Sequence, residues 1–479
     1  MKNPSIINIE ATQDLQVAKL RANYGNLHKG YFEKEADELR AKILGTCNTE
    51  EYYKIIGTKY YVSQDGNDEN DGKSPETAIK TLDRIEKIEF KEGDAILFKR
   101  GDTFRFVRTI EAKNNITYGS YGEGAKPQLF ASPENYALND NWQEVKPHIW
   151  QIPFDYNHAS GCVLDYGMII GVQKYEGLET FEENGDYHHD LDNKTFYIYC
   201  DLGKPNEVYH SIEIMPTINL MLMRGSENIV VDNLCFKYSS GFGITAADVK
   251  GNITVTNCEF GFLGGLWQDP HYKNLRFGNA VEFWCGGKNI NVQNNWFYQT
   301  YDSALTWQGN RDEYTYENIH YIGNLFEYNN ADIEFFDGKN VLLKDFVMKD
   351  NIMRFTSMGW GSRPNDGAYR GIEGCIRGVT GGGNRVMNVH SAYFTDNIID
   401  CPARQIINWN MNPDQRETIH ASGTKLYVKS DYRTLEPCLQ GLQTELETQP
   451  YDRRFAVGKH ELIEMFPLFE DGAEIRWDE

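Results

Sequence analysis

The chain has no C-x-x-C pair, no long apolar run and no excess of basic residues, and each absence removes a class of function. Its nine cysteines, an odd number, are scattered from Cys47 to Cys438. Without paired spacing they predict neither a structural zinc site nor a disulfide scaffold, and they fit a reduced, cytoplasmic protein. No stretch of about 18 apolar residues occurs, so no membrane span is expected. Met1-Lys2-Asn3-Pro4 and the polar sequence after Ile6-Ile7 lack the apolar core of a secretory signal. Lys and Arg number 48 against 70 Asp and Glu, a formal charge of −22. That balance argues against nucleic acid or an anionic membrane as partner, and makes a polyuronate substrate a poor match unless a local basic cleft overrides it. No Walker or Rossmann glycine pattern stands in a strand–turn–helix context, so no cofactor is expected.

What is present is a recurring phrase: an Asn, a β-branched residue, and a Phe eight positions after the Asn. It runs Asn228-Ile229 to Phe236, Asn252-Ile253 to Phe260, Asn289-Ile290 to Phe297, and Asn318-Ile319 to Phe326. Looser copies start at Asn340-Val341 and Asn388-Val389, and the first five starts are 24, 37, 29 and 22 residues apart. Such periods signal a stacked repeat whose core grows along one axis. Each repeat holds short β-rich runs broken by Asn and Gly, without the longer stripes that helical repeats need. Asn tolerates left-handed backbone and suits corners between strands. The phrase therefore predicts a parallel β-helix with Asn at the corners and Ile and Phe stacked inside.

Around this core the chain divides by composition. Residues 1–57 read as helical, with Tyr31, Phe32, Ala36, Leu39, Ile43 and Leu44 at helical spacing. Residues 58–130 hold the first coils, with strands at Tyr60-Tyr61-Val62 and Ala95–Phe98. Between them, Ser74-Pro75 opens a capping helix striped by Ile79, Leu82 and Ile85. Residues 131–215 lack the phrase and read as an inserted β subdomain, with strands at Trp150–Ile152, Met168–Ile170 and Phe196–Tyr199. Residues 216–410 form the main β-helix. Residues 411–479 are a C-terminal extension with one amphipathic helix carrying Leu435, Cys438, Leu439, Leu442 and Leu446. The loop with Asp65, Asn67, Glu69 and Glu76 lacks the central Gly of a calcium loop and reads as a turn, and His188-His189 reads as a surface pair. No metal site is expected.

The strand before each phrase aligns across four coils: Gly243-Ile244-Thr245, Ala280-Val281-Glu282-Phe283, Ala304-Leu305-Thr306-Trp307 and Asp332-Ile333-Glu334-Phe335. Strand side chains alternate faces. With Ile244, Val281, Leu305 and Ile333 inward, Thr245, Glu282, Thr306 and Glu334 form one outward column. Phe283, Trp307 and Phe335 return to the core, while Trp284, Gln308 and Phe336 face out. Glu282 and Glu334 are two coils apart, about 10 Å between backbones, within reach of paired acid/base work on a glycosidic bond. Asp302, where the intervening strand begins, is a third carboxylate. The Gly-rich stretch Arg354-Phe355-Thr356-Ser357-Met358-Gly359-Trp360-Gly361-Ser362-Arg363-Pro364 interrupts the repeat and reads as a cleft wall, with Trp360, Arg354 and Arg363 as sugar contacts. Asp312, Glu313, Asp366 and Glu373 are further carboxylates of the same region.

Several segments resemble the bacterial right-handed parallel β-helix proteins of the pectate-lyase-like superfamily. They are the opening Tyr60–Asp68 with Asp71–Thr77, the first coil Ile116–Gly122, the insert ending at Phe196–Tyr199, and Asp302, Ile333–Phe336 and Met358–Pro364. The insert is similar to the β-sandwich of the β-helix xylosidases and the related xylanase and α-fucosidase families. The resemblance implies an all-β, right-handed parallel β-helix with an inserted sandwich-like subdomain and a helical N-terminal segment. It further implies a glycoside hydrolase on neutral xylo- or fuco-type oligosaccharides, with an Asp–Glu catalytic pair from neighbouring coils matching Asp302 and Glu334, and Glu282 in reserve. The Asp-Asp and Gly-His-Gly motifs of polygalacturonases are absent. A polysaccharide lyase or uronate epimerase using Arg354, Arg363 or Arg370 stays open, as do a non-catalytic glycan-binding solenoid and a homo-oligomer.

Overall fold

The structure is a computed structural model that describes residues 29–269, 275–309, 313–337, 341–362, 374–380, 388–402, 405–409, 418–429 and 474–478. The Asn that opens each phrase sits at a left-handed corner, with φ of 55° at Asn228, 57° at Asn252, 52° at Asn289 and 56° at Asn318. Asn115 continues the series one coil earlier at φ 61°. Stacked corners place successive amides in contact. Asn228, Asn252, Asn289 and Asn318 each donate from Nδ2 to the Oδ1 of the Asn one coil back, at 2.6, 2.8, 2.9 and 2.7 Å. A second, buried ladder, not foreseen from the phrase, runs from Asn295 through Asn324 and Asn351 to Asn397, with Nδ2 to Oδ1 distances of 3.1, 3.0 and 3.0 Å.

Between corners the strands stack in parallel, coil upon coil, into sheets of 11, 10 and 8 described strands. This is the parallel β-helix expected, and the crossover rule makes its winding right-handed. The repeat phenylalanines fill the interior face to face: Phe236 on Phe260 at 5.0 Å, Phe260 on Phe297 at 4.9 Å, and Phe297 on Phe326 at 5.2 Å. Ile229, Ile253, Ile290 and Ile319 are fully buried in the same core. Each buried Phe or Ile contributes about 1.5–3 kcal/mol relative to exposure, so the repeat is held by apolar burial and kept in register by the amide ladders.

The insert forms two antiparallel sheets of three and four strands. They share one core, with Cys162, Leu164, Ile212 and Ile214 from the first and Ile152, Tyr187, Phe196 and Ile198 from the second. That is the sandwich-like subdomain expected, except that its short strand is Ile169–Ile170 and Met168 lies outside it, 40% exposed. His189 is buried and accepts from the Ala159 N–H at 3.0 Å, so the His188-His189 pair is not a surface pair. It lies in the strand Tyr187–Asp190, whose side chains alternate faces.

The N-terminal helix spans Glu33–Leu44 and turns Ala36, Arg40 and Ile43 inward. Residues 1–28 and the expected C-terminal helix near residues 435–446 lie outside the described residues. The capping helix is in two pieces. A Ser74-capped turn covers Pro75–Thr77, and a Thr81-capped helix covers Leu82–Glu86. Ile79 cannot be helical because it bridges Val62 as an added strand residue. Even so, Ile79, Leu82 and Ile85 all join the solenoid core. No described helix is long and apolar enough to cross a membrane.

Candidate active site

The eight-stranded sheet carries the carboxyls. Its strands Ile244–Ala247, Val281–Trp284, Ser303–Gln308, Ala331–Asp337 and Gly374–Thr380 are consecutive neighbours. The register pairs Thr245 with Glu282, Glu282 with Thr306, Thr306 with Glu334, and Glu334 with Arg377. Branched residues at Ile244, Val281, Leu305, Ile333 and Ile376 anchor these strands inward. Trp307 is in the core as expected, beside Phe283 and Phe335. Trp284, Gln308 and Phe336 form the neighbouring outward column and are half-buried.

The outward column holds, but it is not solvated: Glu282 is 2% exposed, and Asp302 and Glu334 are each 1% exposed. Burying carboxyls without partners costs several kcal/mol, and the sequence supplies partners. Glu334 Oε2 accepts from Ser303 Oγ at 3.1 Å, Thr306 Oγ1 at 3.0 Å and Gln308 Nε2 at 3.3 Å. Its Oε1 lies 2.8 Å from Arg377 Nη1. The same nitrogen is 3.7 Å from Asp302 Oδ1. The two carboxyl oxygens are therefore no farther apart than those two lengths laid end to end, a close pair bridged by one guanidinium.

Glu282 has different surroundings. It accepts from Asn279 Nδ2 at 3.1 Å and makes no ion pair among the described residues. Burial is the main cause that pushes its carboxyl up to about 7; the Asn279 and Trp284 side chains oppose the shift and the Glu334 charge adds to it. Asn279 also accepts from the Ser303 N–H at 3.1 Å, and Ser303 in turn donates to Glu334. Asn279 thus ties the two carboxyl environments together. Asn279→Ala removes a donor that favours ionised Glu282, so the Glu282 pKa rises further. The midpoint of the Glu282 carboxyl in a carbon-13 NMR pH titration is expected to move to higher pH, and a midpoint that stays put contradicts this linkage.

Asp332, two residues before Glu334, is also pushed up to about 7 by burial, opposed by donors from Thr356 and Asn329. Arg377, Asn279 and Asp332 were all missed as site residues from the sequence. Arg377 had a signal: Cys375-Ile376-Arg377 repeats the inward–outward step of Asp332-Ile333-Glu334.

Two expected sugar contacts belong elsewhere. Arg354 lies on the ten-stranded sheet, fully buried, with Nη2 2.6 Å from Glu33, Nη1 3.5 Å from Glu327 and Nε 3.6 Å from Asp400. Trp360 is buried against Tyr301, ring centroids 4.8 Å apart, and donates from Nε1 to the Gln299 carbonyl at 2.9 Å. Gly361 explains the close approach, since a Cβ there would stand 1.9 Å from the Tyr301 carbonyl oxygen. Residues 354–362 are thus a buttress packed behind the turn that leads into Asp302, not a cleft wall. Glu313 is exposed at the end of a loop. Asp312, Arg363, Asp366, Arg370 and Glu373 lie outside the described residues.

The arrangement can hold a proton on Glu282 near neutral pH while the Asp302–Glu334 pair is compensated by Arg377. An acid and an acceptor on one strip of sheet is the equipment for acid/base chemistry. Arg377 is already committed to two carboxyls, so it offers little to an anionic substrate. Among the described residues no cluster of metal ligands occurs.

No protein-family model and no curated protein matches this chain. Solved structures are similar at low identity. One is a glycoside hydrolase, at 10% identity over 78% of this chain and 92% of the other, with a TM-score of 0.44. A second is a GH136 lacto-N-biosidase from Eubacterium ramulus, at 13% identity over 90% of this chain and 69% of the other, with a TM-score of 0.35. A third is pectate lyase Pel9A, at 12% identity over 78% and 69%, with a TM-score of 0.38.

Proposed function

We propose that the chain is a glycoside hydrolase acting on neutral oligosaccharides of the xylo- or fuco-type. The observation that carries this reading is one register column holding two carboxyls in opposite surroundings. Glu282 keeps its proton to about pH 7 through burial, while Glu334 accepts three hydrogen bonds and faces Arg377. Glu282 then serves as general acid toward the leaving oxygen. Glu334, with Asp302 beside it, serves as base or nucleophile at the anomeric carbon. Two coils separate Glu282 from Glu334, about 10 Å between backbones, which favours the wider, inverting arrangement. Trp284 and Phe336, flanking Gln308, supply apolar faces for the sugar rings.

The lyase or epimerase reading loses support because Arg354, one of its three candidate bases, is committed to three carboxylates. The test is turnover of a panel of nitrophenyl glycosides by the wild type, Glu334→Gln and Asp302→Asn. Both variants are expected to lose turnover while remaining folded. Undiminished turnover in both would remove these assignments, and an unsaturated product absorbing in the ultraviolet would point to a lyase instead.

A further inference from the structure

A groove of about 490 Å³ runs along the eleven-stranded sheet, a different face of the solenoid from the carboxyl column. Its floor has two columns. One is the exposed asparagine ladder over four coils, from Asn115 to Asn289. The other is Thr117, Val230, Thr254 and Asn291, which share one register. Its side is the segment 53–56, where Tyr53 is 38% exposed and Ile56 73% exposed.

Three features select what could lie there. First, Asn228, Asn252 and Asn289 each commit one N–H to the amide one coil back, and a side-chain amide has two N–H donors and two oxygen lone pairs. The remaining donors and acceptors repeat along the groove at the strand spacing of about 4.8 Å. A ligand that presents donors and acceptors together at regular intervals matches this, and hydroxyl groups do so. Second, the backbone groups of the stacked strands are paired from coil to coil. The floor is therefore a sheet face, with no free edge to which an extended peptide could add as a strand. Third, the floor is made of amides, hydroxyls and one Val, all uncharged, and the rim carries one residue of each sign, Lys54 and Glu92. Nothing there selects an anion or a cation. The Tyr53 ring and the apolar wall suit the flat face of a sugar.

We propose that this groove is a second, non-catalytic binding site for an extended, neutral polysaccharide strand. It holds a polymer lengthwise on one face while the carboxyl column on another works on chain ends or side groups. The binding does not depend on the hydrolase reading, and its test does not either.

The experiment is affinity electrophoresis of the full chain in gels containing soluble xylan, glucomannan or, as an anionic control, polygalacturonate. Two variants leave the ladder amides intact: Tyr53→Ala and Thr254→Lys, both surface changes checked by thermal unfolding. A neutral polymer is expected to retard the wild type. Each variant should weaken that retardation by about tenfold in affinity, a change of about 1.4 kcal/mol. Turnover of small nitrophenyl glycosides, where present, should be unchanged. No retardation by either neutral polymer overturns the proposal. So does retardation that both variants retain, or equal retardation by polygalacturonate. Retardation lost in both variants supports the site even if no glycoside is turned over, so the two readings fail separately.

Discussion

Glu282→Gln should lower kcat by about 10²–10⁴-fold and at the same time make the protein more stable at alkaline pH. Both effects have one cause. Glu282 is buried, and burial pushes its carboxyl from 4.5 to about 7. Between those values the folded protein holds a proton that the unfolded chain has released. Folding stability therefore falls as pH rises through that window, by at most about 3 kcal/mol. Gln cannot ionise, so the variant escapes the loss. At pH 4 the two proteins should unfold at similar urea concentrations, and at pH 8 the variant should need more urea. Its amide oxygen can still accept from Asn279, so the local packing is kept. In the proposed mechanism the same substitution removes the proton that the leaving oxygen needs. A substrate with a good leaving group requires less protonation, so the deficit should shrink on nitrophenyl glycosides with more acidic phenols. A variant with full activity, or one whose stability follows wild type across pH, contradicts the role given to Glu282.

The largest stability effect is expected at Arg354. Its guanidinium is fully buried among Glu33, Glu327 and Asp400. Glu327 also receives a two-point contact from Arg40 of the N-terminal helix, at 3.1 and 2.5 Å, and a bond from Trp296 Nε1 at 2.9 Å. Asp400 accepts the Tyr31 and Phe32 N–H groups at 2.8 and 3.1 Å. Gly30 lets the chain pass there, since a Cβ would stand 2.0 Å from Asp400 Oδ2. The cluster fastens the N-terminal helix across three successive coils. Arg354→Ala leaves Asp400 buried without its cation and weakens the compensation of Glu327. Breaking a buried pair in this way costs about 3–5 kcal/mol. Urea unfolding should report that loss, while kcat of the remaining folded enzyme stays near wild type. A variant of normal stability but impaired KM would restore Arg354 as a substrate ligand.

The outcome at Arg354 and Trp360 shows where sequence reasoning reaches its limit. The Asn–Ile…Phe phrase set the register because each of its residues has a single physical job: a left-handed corner, an inward branched side chain, a stacked ring. Counting from it correctly put Trp307 in the core and aligned Glu282, Thr306 and Glu334. The strict phrase ends at Phe326, before Arg354. Beyond it, a Gly-rich interruption reads as a cleft wall, although Gly also permits the closest packing. At Gly359 and Gly361 a Cβ would stand 1.9 Å from a neighbouring carbonyl oxygen, so these glycines serve contact and not openness. Arg377 escaped because its strand follows residues 355–373, where repeat counting no longer applies. The burial of the carboxyls was not legible either, since alternation gives the face of a side chain and not what covers it.

The most direct test is the crystal structure of the Glu282→Gln variant with a bound neutral oligosaccharide. The glycosidic oxygen is expected within about 3 Å of the residue-282 amide, with the anomeric carbon turned toward Glu334 and Asp302 and a ring lying against Trp284 or Phe336. A sugar seated away from this column, or one that reaches the residue-282 amide but neither Glu334 nor Asp302, would contradict the catalytic account and leave the column as a binding surface.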